Sequence, residues 1–224
     1  MKKNITILGS TGSIGNTTLK IIDKKKDLFS VDTLMAKTNY KSICKQINKY
    51  KPKNFVISDN EIFLKVKKKH KKKTTKIYNN YKDLKFNKRK TDIVISAIPG
   101  LEGLEPTIFF TSNCKKLLLA NKESIICGWN IISKIAKKKK TQIIPLDSEH
   151  FSIHKITKDF NNNEIDKIYI TASGGPFLNL PLNKFKNIKL KDALNHPKWS
   201  MGKKISIDSA TLMNKILELI EAQK

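Results

Sequence analysis

Residues 4–15 read Asn-Ile-Thr-Ile-Leu-Gly-Ser-Thr-Gly-Ser-Ile-Gly, and they determine the fold class. The first five residues are an apolar run typical of a buried strand, and the residues from Asn16 to about Asp23 have helical spacing. Glycines at 9, 12 and 15 permit a tight turn and let the backbone approach a pyrophosphate at a helix N-terminus. The pattern favours a dinucleotide over another phosphate ligand or a purely structural turn.

The same alternation continues along the chain. Strands are predicted at 29–36, 54–58, 76–78, 91–97, 116–119 and 142–146, with helices at 40–50, 60–70, 103–113 and 123–138 between most of them. Alternating strands and helices predict an α/β fold with a parallel, doubly wound, Rossmann-like sheet over residues 1–146. Residues 147–224 are predicted to be part of a second, α+β domain, with a loop at 159–166, a strand at 167–172, a loop and short helix at 179–195, and a helix at 208–224.

The charge balance is strongly basic. The 224 residues carry 45 Lys and Arg against 19 Asp and Glu, a net charge of +26. Such an excess attracts phosphates, nucleic acids or anionic membranes. However, lysine is enriched nearly everywhere, as in a sequence under AT-rich codon bias, and the lysines do not interleave with aromatic residues. We therefore expect no nucleic-acid or membrane partner.

The cysteines indicate a reducing compartment. Cys44, Cys114 and Cys127 lie far apart, without the spacing of a zinc site or a disulfide framework. The apolar run before Gly9 is too short for a signal peptide, and no run approaches membrane-spanning length. The expected location is the cytoplasm.

The end of the second strand bears on cofactor choice. An acidic residue at this point is typical of NAD-binding proteins, but this chain has Lys37, Thr38 and Asn39. A lysine and a hydroxyl suit a 2′-phosphate, which favours NADPH over NADH. The alternative is that Lys37 is simply one lysine among many.

Asp147 and Glu149 are a candidate metal pair. They follow a predicted strand at the edge where ligands bind in such sheets, and strand residues two apart point the same way. Two carboxylates without a nearby Cys suit a hard cation such as Mg²⁺ or Mn²⁺. The alternative is an acidic turn that caps a helix.

Three polar residues near the end of the chain share a helix face. With Asp208 or Ser209 as the predicted N-cap, Asn214, Lys215 and Glu218 lie three or four residues apart. An amide, a cation and a carboxylate in one place suit a phosphate or diol and a metal, although an ordinary surface ion pair has the same pattern. Before them, Trp199 and Met201 lie in a Pro- and Gly-flanked loop that is either a lid or a core anchor.

Several motifs together resemble one enzyme family. Besides the glycine turn, they are Ala-Asn-Lys-Glu-Ser at 120–124, Asp-Ser-Glu-His at 147–150, Ala-Ser-Gly-Gly-Pro-Phe at 172–177 and the block 196–218. In order and spacing they resemble the 1-deoxy-D-xylulose 5-phosphate reductoisomerases. The resemblance implies an NADPH-binding α/β domain over residues 1–146 and part of a catalytic domain over 147–224. On this resemblance, we expect the 224 residues not to include the family's C-terminal helical domain.

The resemblance also implies the reaction. Family members rearrange 1-deoxy-D-xylulose 5-phosphate and reduce the product with NADPH to 2-C-methyl-D-erythritol 4-phosphate, an isoprenoid precursor. They use Mg²⁺, Mn²⁺ or Co²⁺ and are usually homodimers. Two alternatives are an inactive remnant that retains NADPH binding and a basic nucleic-acid-binding protein that uses the scaffold only for structure.

Site residues follow by motif from the resemblance. The implied metal ligands are Asp147, Glu149 and Glu218. The implied catalytic residues are Lys122, Asp147, Glu149, His150 and Glu218. The implied substrate contacts are Lys122, Ser148, Glu149, Ser173, His196, Ser209, Asn214, Lys215 and Glu218, with Trp199 and Met201 as lid residues. The implied cofactor contacts are Gly9, Ser10, Thr11, Gly12, Ser13, Ile14, Gly15, Lys37, Thr38, Asn39, Asn121, Glu123 and Gly202.

The sequence also departs from the family. Lys198 replaces the usual Asn, Phe151 replaces a small or polar residue, and Ile216 replaces Gly, where its branched side chain is expected to crowd the helix. Family members also continue well beyond Lys224. We therefore expect exposed apolar surface around Leu212, Leu219 and Ile220, low autonomous stability, and weak turnover unless a second polypeptide supplies the missing part.

Overall fold

The computed structural model describes residues 1–71, 74–86, 90–199 and 201–224. It contains two compact units, Met1–Leu146 and Asp147–Lys224. The functional roles assigned to these two segments stay predictions. Within the described ranges, no helix is long and apolar enough to cross a membrane.

The first unit is built on a seven-stranded sheet in which every neighbouring pair is parallel. The strands are β1 (Lys3–Leu8), β2 (Phe29–Ala36), β3 (Asn54–Ile57), β4 (Lys76–Tyr78), β5 (Thr91–Ser96), β6 (Cys114–Leu119) and β7 (Gln142–Pro145). Their order is β4-β3-β2-β1-β5-β6-β7, which confirms the predicted doubly wound sheet. The order reverses between β1 and β5, so a crevice opens at the carboxyl ends of these two strands.

In the described part of this unit, five helices accompany the sheet. They are α1 (Ser13–Lys24), α2 (Tyr40–Tyr50), α3 (Asn60–Lys69), α4 (Leu104–Thr111) and α5 (Lys122–Lys139), with 3₁₀ turns at Tyr81–Asp83 and Leu101–Gly103. Side chains of Asn39, Asp59 and Asn121 accept main-chain N–H bonds at the starts of α2, α3 and α5. These caps fix where the helices begin, because they satisfy N–H groups that have no partner inside the helix.

The core occupies both faces of the sheet, as expected for parallel strands. Ile7, Leu34 and Phe55 belong to one buried cluster, and the residues that follow each of them in sequence, such as Leu8, belong to the other. The second cluster also holds Phe110, which is fully buried. This two-sided burial explains why the strands are short, nearly continuous apolar runs in the sequence.

Asp92 in β5 provides a pH-dependent contribution to stability. Its carboxylate accepts hydrogen bonds from Lys115 Nζ (2.7 Å) and the Asn4 main-chain N–H (2.9 Å), and these bonds hold its pKa below the ordinary value. A carboxyl with a lowered pKa stabilises the fold above its unfolded-state pKa and loses that contribution as the pH falls through the folded-state pKa. Asp92→Asn is therefore expected to lower the free energy of unfolding by about 1 kcal/mol at neutral pH.

The difference between Asp92→Asn and wild type should shrink as the pH is lowered below the ordinary aspartate range. Urea denaturation at several pH values measures it, with the exposed Asp27→Asn as the matched control. A difference that stays constant with pH would show that the carboxylate's charge is not responsible.

The second unit contains helices, and one predicted strand in it is wrong. The helices are α6 (Ser148–Thr157), α7 (Leu190–Leu194), α8 (Lys203–Ala210) and α9 (Met213–Ala222), with 3₁₀ turns at Asn162–Glu164 and Leu182–Asn187. Residues 167–172 do not form the expected strand, and Tyr169 is 83% exposed. A strand needs a hydrogen-bonding neighbour, and the described residues of this unit contain no other strand to provide one.

The predicted helix over 208–224 is two helices. Asp208 and Ser209 lie at the end of α8, so neither is the N-cap of the helix that carries Glu218. Leu212 is the N-cap of α9 instead, with φ of 59°. Leu212 is in the left-handed region, and the N–H groups of Thr211 and Leu212 donate hydrogen bonds back into α8, which ends there.

Candidate functional site

The glycine turn between β1 and α1 is tightly packed. Gly9 has φ of +84°, and a Cβ there would lie 2.6 Å from the main-chain oxygen of Ala97 at the end of β5. A Cβ at Gly15 would lie 2.4 Å from the main-chain oxygen of Gly9. Only glycine permits this approach of helix, turn and neighbouring strand.

The hydrogen bonds of the turn leave the start of α1 available for an anion. The N–H groups of Gly9 and Ser10 both donate to Met35 O in β2, at 3.0 and 2.8 Å, and Gly12 N donates to Gly9 O. The first N–H groups of α1, at residues 13–15, have no acceptor inside the helix. Together with the helix dipole they fit a pyrophosphate, so the turn suits the dinucleotide predicted from its sequence.

The residues after β2 lie at the carboxyl edge of the sheet, as the glycine turn does. Lys37 Nζ bonds both carboxylate oxygens of Glu102, at 2.7 and 2.9 Å, and both side chains are more than half exposed. Thr38 is exposed, whereas the Asn39 side chain is engaged as the cap of α2. Lys37 and Thr38 therefore remain accessible to a ligand.

Asn121 connects two loops at the crevice. Its amide donates to the main-chain oxygens of Ile98 and, at 2.8 Å, Gly100, while its oxygen caps α5. Lys122 is buried and Glu123 half-buried in the first turn of α5. Lys122 lies in the first unit, and its contact with a substrate stays a prediction, as does the cofactor contact of Gly202 at the N-cap of α8.

Three carboxylates converge in the second unit. Asp147, Glu149 and Glu218 each have a ligand atom within 4.8 Å of the others. The predicted reason for the pairing of Asp147 and Glu149 is wrong, because β7 ends at Pro145 and neither residue is on a strand. Asp147 is the N-cap of α6 and Glu149 lies in its first turn, so the helix start, and not a strand pleat, brings them together.

Lys215 and Asn214 donate hydrogen bonds to this cluster. Lys215 Nζ bonds Glu218 Oε2 at 2.5 Å and Glu149 Oε1 at 3.1 Å, and Asn214 Nδ2 bonds the other oxygen of Glu218 at 2.5 Å. Burial raises the pKa of Glu149, but hydrogen bonds from Ser148 and Lys215 outweigh it and keep that pKa below the ordinary value. Burial lowers the pKa of Lys215, and its two carboxylate partners reverse the effect and raise it.

The cluster fits a hard divalent cation. Glu218 is fully buried, and three carboxylates at this separation match the oxygen ligands that Mg²⁺ and Mn²⁺ prefer. Concentrated negative charge in a buried place requires a positive partner. Lys215 supplies part of that charge here, and a divalent ion would supply more.

His150 contacts two residues of the carboxylate cluster and also Glu221. His150 Nδ1 lies 3.1 Å from Asp147 Oδ1 and 3.4 Å from Glu221 Oε2, and Nε2 lies 2.9 Å from the main-chain oxygen of Glu218. The hydrogen bond with Asp147 raises the pKa of His150 against the opposing effect of burial. Sequence reasoning missed Glu221, although its spacing of three from Glu218 places both on one helix face.

A pocket of about 560 Å³ adjoins these residues. It is lined by seven residues predicted to contact the substrate: Ser148, Glu149, Ser173, His196, Ser209, Asn214 and Lys215. Trp199, Met201 and Lys198 also line it, so the loop before α8 forms a wall of the pocket rather than a core anchor. Trp199 is 64% exposed.

His196 is held in one tautomer. Its Nδ1 accepts main-chain N–H bonds from Lys198 and Trp199, at 3.2 and 3.1 Å, so the ring hydrogen resides on Nε2. Nε2 lies 3.1 Å from Ser173 Oγ, to which it donates. The buried ring thus joins the loop of Trp199 to the serine on the opposite wall.

Two of the three departures from the family pattern lie at the surface, and the third, Lys198, lines the pocket. Ile216 is 49% exposed, so the crowding expected of its side chain is not observed. Phe151 is 40% exposed and is covered by Lys155, whose Nζ lies 5.6 Å from the ring centre. Leu212 and Leu219 are each at least half exposed, which confirms the apolar surface expected at those two residues.

Family models identify the chain. The model described as 1-deoxy-D-xylulose 5-phosphate reductoisomerase matches residues 5–128, and the model of its C-terminal domain matches residues 143–224. The chain belongs to the 1-deoxy-D-xylulose 5-phosphate reductoisomerase family. Among curated reductoisomerases, that of Pelagibacter ubique is 51% identical over 99% of this chain, and that of Wolbachia pipientis from Culex pipiens is 42% identical over 98%.

Solved reductoisomerase structures have the same fold. One, in complex with NADPH, fosmidomycin and magnesium, superposes with a TM-score of 0.88 at 35% identity and covers 98% of this chain. The reductoisomerase from Zymomonas mobilis in complex with NADPH gives 0.85 at 32% identity over 99% of this chain. The chain spans 58% of the length of the Pelagibacter reductoisomerase and 57% of each of these two structures.

Proposed function

We propose that this chain carries the NADPH site and the metal site of a reductoisomerase acting on 1-deoxy-D-xylulose 5-phosphate. The observation that carries the proposal is the convergence of Asp147, Glu149 and Glu218 beside a pocket lined by serines, an amide and Lys215. A solved relative bound to NADPH, fosmidomycin and magnesium supports the same pair of cofactors.

The cation and the phosphate are assigned to neighbouring parts of one site, because Lys215 and Asn214 bond the carboxylates and also line the pocket. Asp147, Glu149 and Glu218 would hold the cation, which when bound supplies Lewis acidity to the substrate's carbonyl end. Ser148 lies beside Glu149, to which it donates a hydrogen bond of 2.6 Å, and is suited to the substrate's hydroxyls. The phosphate is assigned to the remaining polar wall, formed by Ser173, Ser209, Asn214 and Lys215.

Preorganised side chains would orient the bound substrate. Lys215 is fixed by two carboxylates, so its charge meets a phosphate without further ordering, and binding of that remote group orients the reacting end. His196 holds Ser173 and the loop of Trp199, which is placed to exclude water from the pocket. The glycine turn would hold NADPH, which when bound would supply the hydride.

The test is oxidation of NADPH by the purified chain with 1-deoxy-D-xylulose 5-phosphate and Mg²⁺ or Mn²⁺. Oxidation that needs both substrate and metal would establish the activity in this chain. NADPH binding without oxidation, by folded protein, would instead support the alternative of an inactive remnant. Repeating the assay with the C-terminal segment of a relative added tests whether a second polypeptide supplies the missing part. Light scattering measures whether the chain forms the homodimer expected from the family resemblance.

Lys37 provides a test of cofactor choice. Lys37→Ala is expected to weaken NADPH binding roughly tenfold and to leave NADH binding unchanged, because only NADPH has the 2′-phosphate. Lys41→Ala, an exposed lysine on α2, is the matched control. Glu102→Gln should act in the opposite direction, since it releases Lys37 from its carboxylate partner. Equal losses for NADPH and NADH would place the 2′-phosphate elsewhere.

A further inference from the structure

Gln46 connects α2 to the glycine turn through two buried hydrogen bonds. Its Nε2 donates to the main-chain oxygen of Ser10 at 2.9 Å, and its Oε1 accepts from Ser10 Oγ at 2.8 Å. Gln46 is 4% exposed and Ser10 is 0% exposed. An amide that forms two bonds to one residue fixes both the position and the orientation of that residue.

Each polar group of Ser10 is engaged inside the protein. Its N–H donates to Met35 O, its carbonyl accepts from Gln46, and its hydroxyl donates to Gln46. The serine therefore acts inside the protein, although it lies in the middle of the turn that faces the crevice. Its complete burial and its two bonds to Gln46 show that its side chain contacts α2.

A turn of this composition needs such a support. Glycine at positions 9, 12 and 15 removes steric clashes and also removes the restraints that Cβ atoms impose on backbone angles. Ser10 lies between two of these glycines, so a restraint on its main chain limits the conformations of the whole turn. A turn already in its bound conformation binds more tightly, because binding need not order it.

We propose that Gln46 is a positioning residue for cofactor binding: it holds the glycine turn in the conformation that receives the pyrophosphate. The inference rests on the proposed NADPH site and adds a residue that does not touch the cofactor. Loss of the Gln46–Ser10 bonds should therefore weaken binding of ligands that contain a pyrophosphate. It should spare ligands that engage only the 2′-phosphate side of the site.

The test compares two probes by calorimetry. Gln46→Met, which keeps the side-chain length and removes both hydrogen bonds, is expected to weaken NADPH binding roughly tenfold. Affinity for adenosine 2′-monophosphate, which lacks the pyrophosphate, should change less than twofold by the same reasoning. Gln142→Met makes the same change at an exposed position of β7 and should alter the affinity for neither ligand. Ser10→Ala removes only one of the bonds and serves if Gln46→Met does not fold.

In the double variant, the effect of Ser10→Ala on NADPH affinity should nearly vanish, because its partner is already absent. Unchanged NADPH affinity in folded Gln46→Met would overturn the inference, and so would equal losses for the two probes, since general loosening of the unit affects both. Failure of the wild-type chain to bind NADPH would overturn the proposed function itself, and this inference with it.

Discussion

Replacing Glu218 by Gln is expected to weaken Mn²⁺ binding by at least about a hundredfold, because changes outside a metal's ligand set already cost ten- to a hundredfold. Gln has nearly the same shape, so the change removes charge and little volume. The cluster loses one of its three carboxylates. Lys215 loses its 2.5 Å partner and keeps Glu149, where it competes with the incoming cation.

Calorimetry or the electron spin signal of free Mn²⁺ measures this effect without requiring turnover. Metal-dependent NADPH oxidation, where the wild-type chain shows it, should be lost in parallel. Glu61→Gln is the matched control, because Glu61 is an exposed acid that also lies 2.5 Å from a lysine, Lys65. If Glu218→Gln bound Mn²⁺ as tightly as wild type, the metal site proposed for this unit would be wrong.

The fold of the first unit was largely predictable from sequence for a physical reason. A strand buried on both faces must be a short apolar run, and the helices between strands begin at capping residues such as Asn39 and Asp59. Each element is thus specified by its own residues. The glycine turn is likewise local, since the clashes that exclude Cβ atoms arise within the strand, turn and helix around it.

The second unit was less predictable because its geometry depends on distant residues. The break at Leu212 has neither Gly nor Pro, and a leucine with positive φ is uncommon, so no local signal marks the end of α8. In α9, Glu218 and Glu221 are buried, while Ile216 and Leu219 are about half exposed. Hydrophobic periodicity predicts the reverse, because it assumes that apolar residues face the interior.

The candidate metal site was predicted for a partly mistaken reason. Asp147 and Glu149 were expected to converge as alternate residues of a strand, and they converge as the N-cap and first turn of α6. Both arrangements place the two side chains on one side, so the residue spacing alone does not distinguish them. The third carboxylate, Glu218 on α9, is distant in sequence and was joined to them only by the resemblance to the family.

Gly15→Ala is expected to have the other large effect, on both stability and NADPH binding. The sign of the stability change shows whether the new Cβ clashes with the turn. In a helix interior, alanine is more favourable than glycine by up to about 1 kcal/mol, so without a clash the substitution would stabilise α1. Here the new Cβ would lie 2.4 Å from Gly9 O and 2.6 Å from Ser10 Cα. Both atoms are backbone, so neither can move without displacing the turn. We expect the free energy of unfolding to fall by roughly 1–3 kcal/mol, the usual cost of overpacking.

NADPH affinity should fall as well in Gly15→Ala, because displacement of the turn moves the first N–H groups of α1 away from the pyrophosphate. A loss of at least about a hundredfold corresponds to two or more charge-assisted hydrogen bonds. Gly12→Ala is the graded comparison, since its Cβ would lie 3.3 Å from Gly9 O and requires only a small shift. Thermal unfolding and NADPH titration of both variants measure these two effects. A Gly15→Ala chain that is more stable than wild type and binds NADPH normally would show that the turn relaxes. Close packing of α1 would then not be what creates the cofactor site.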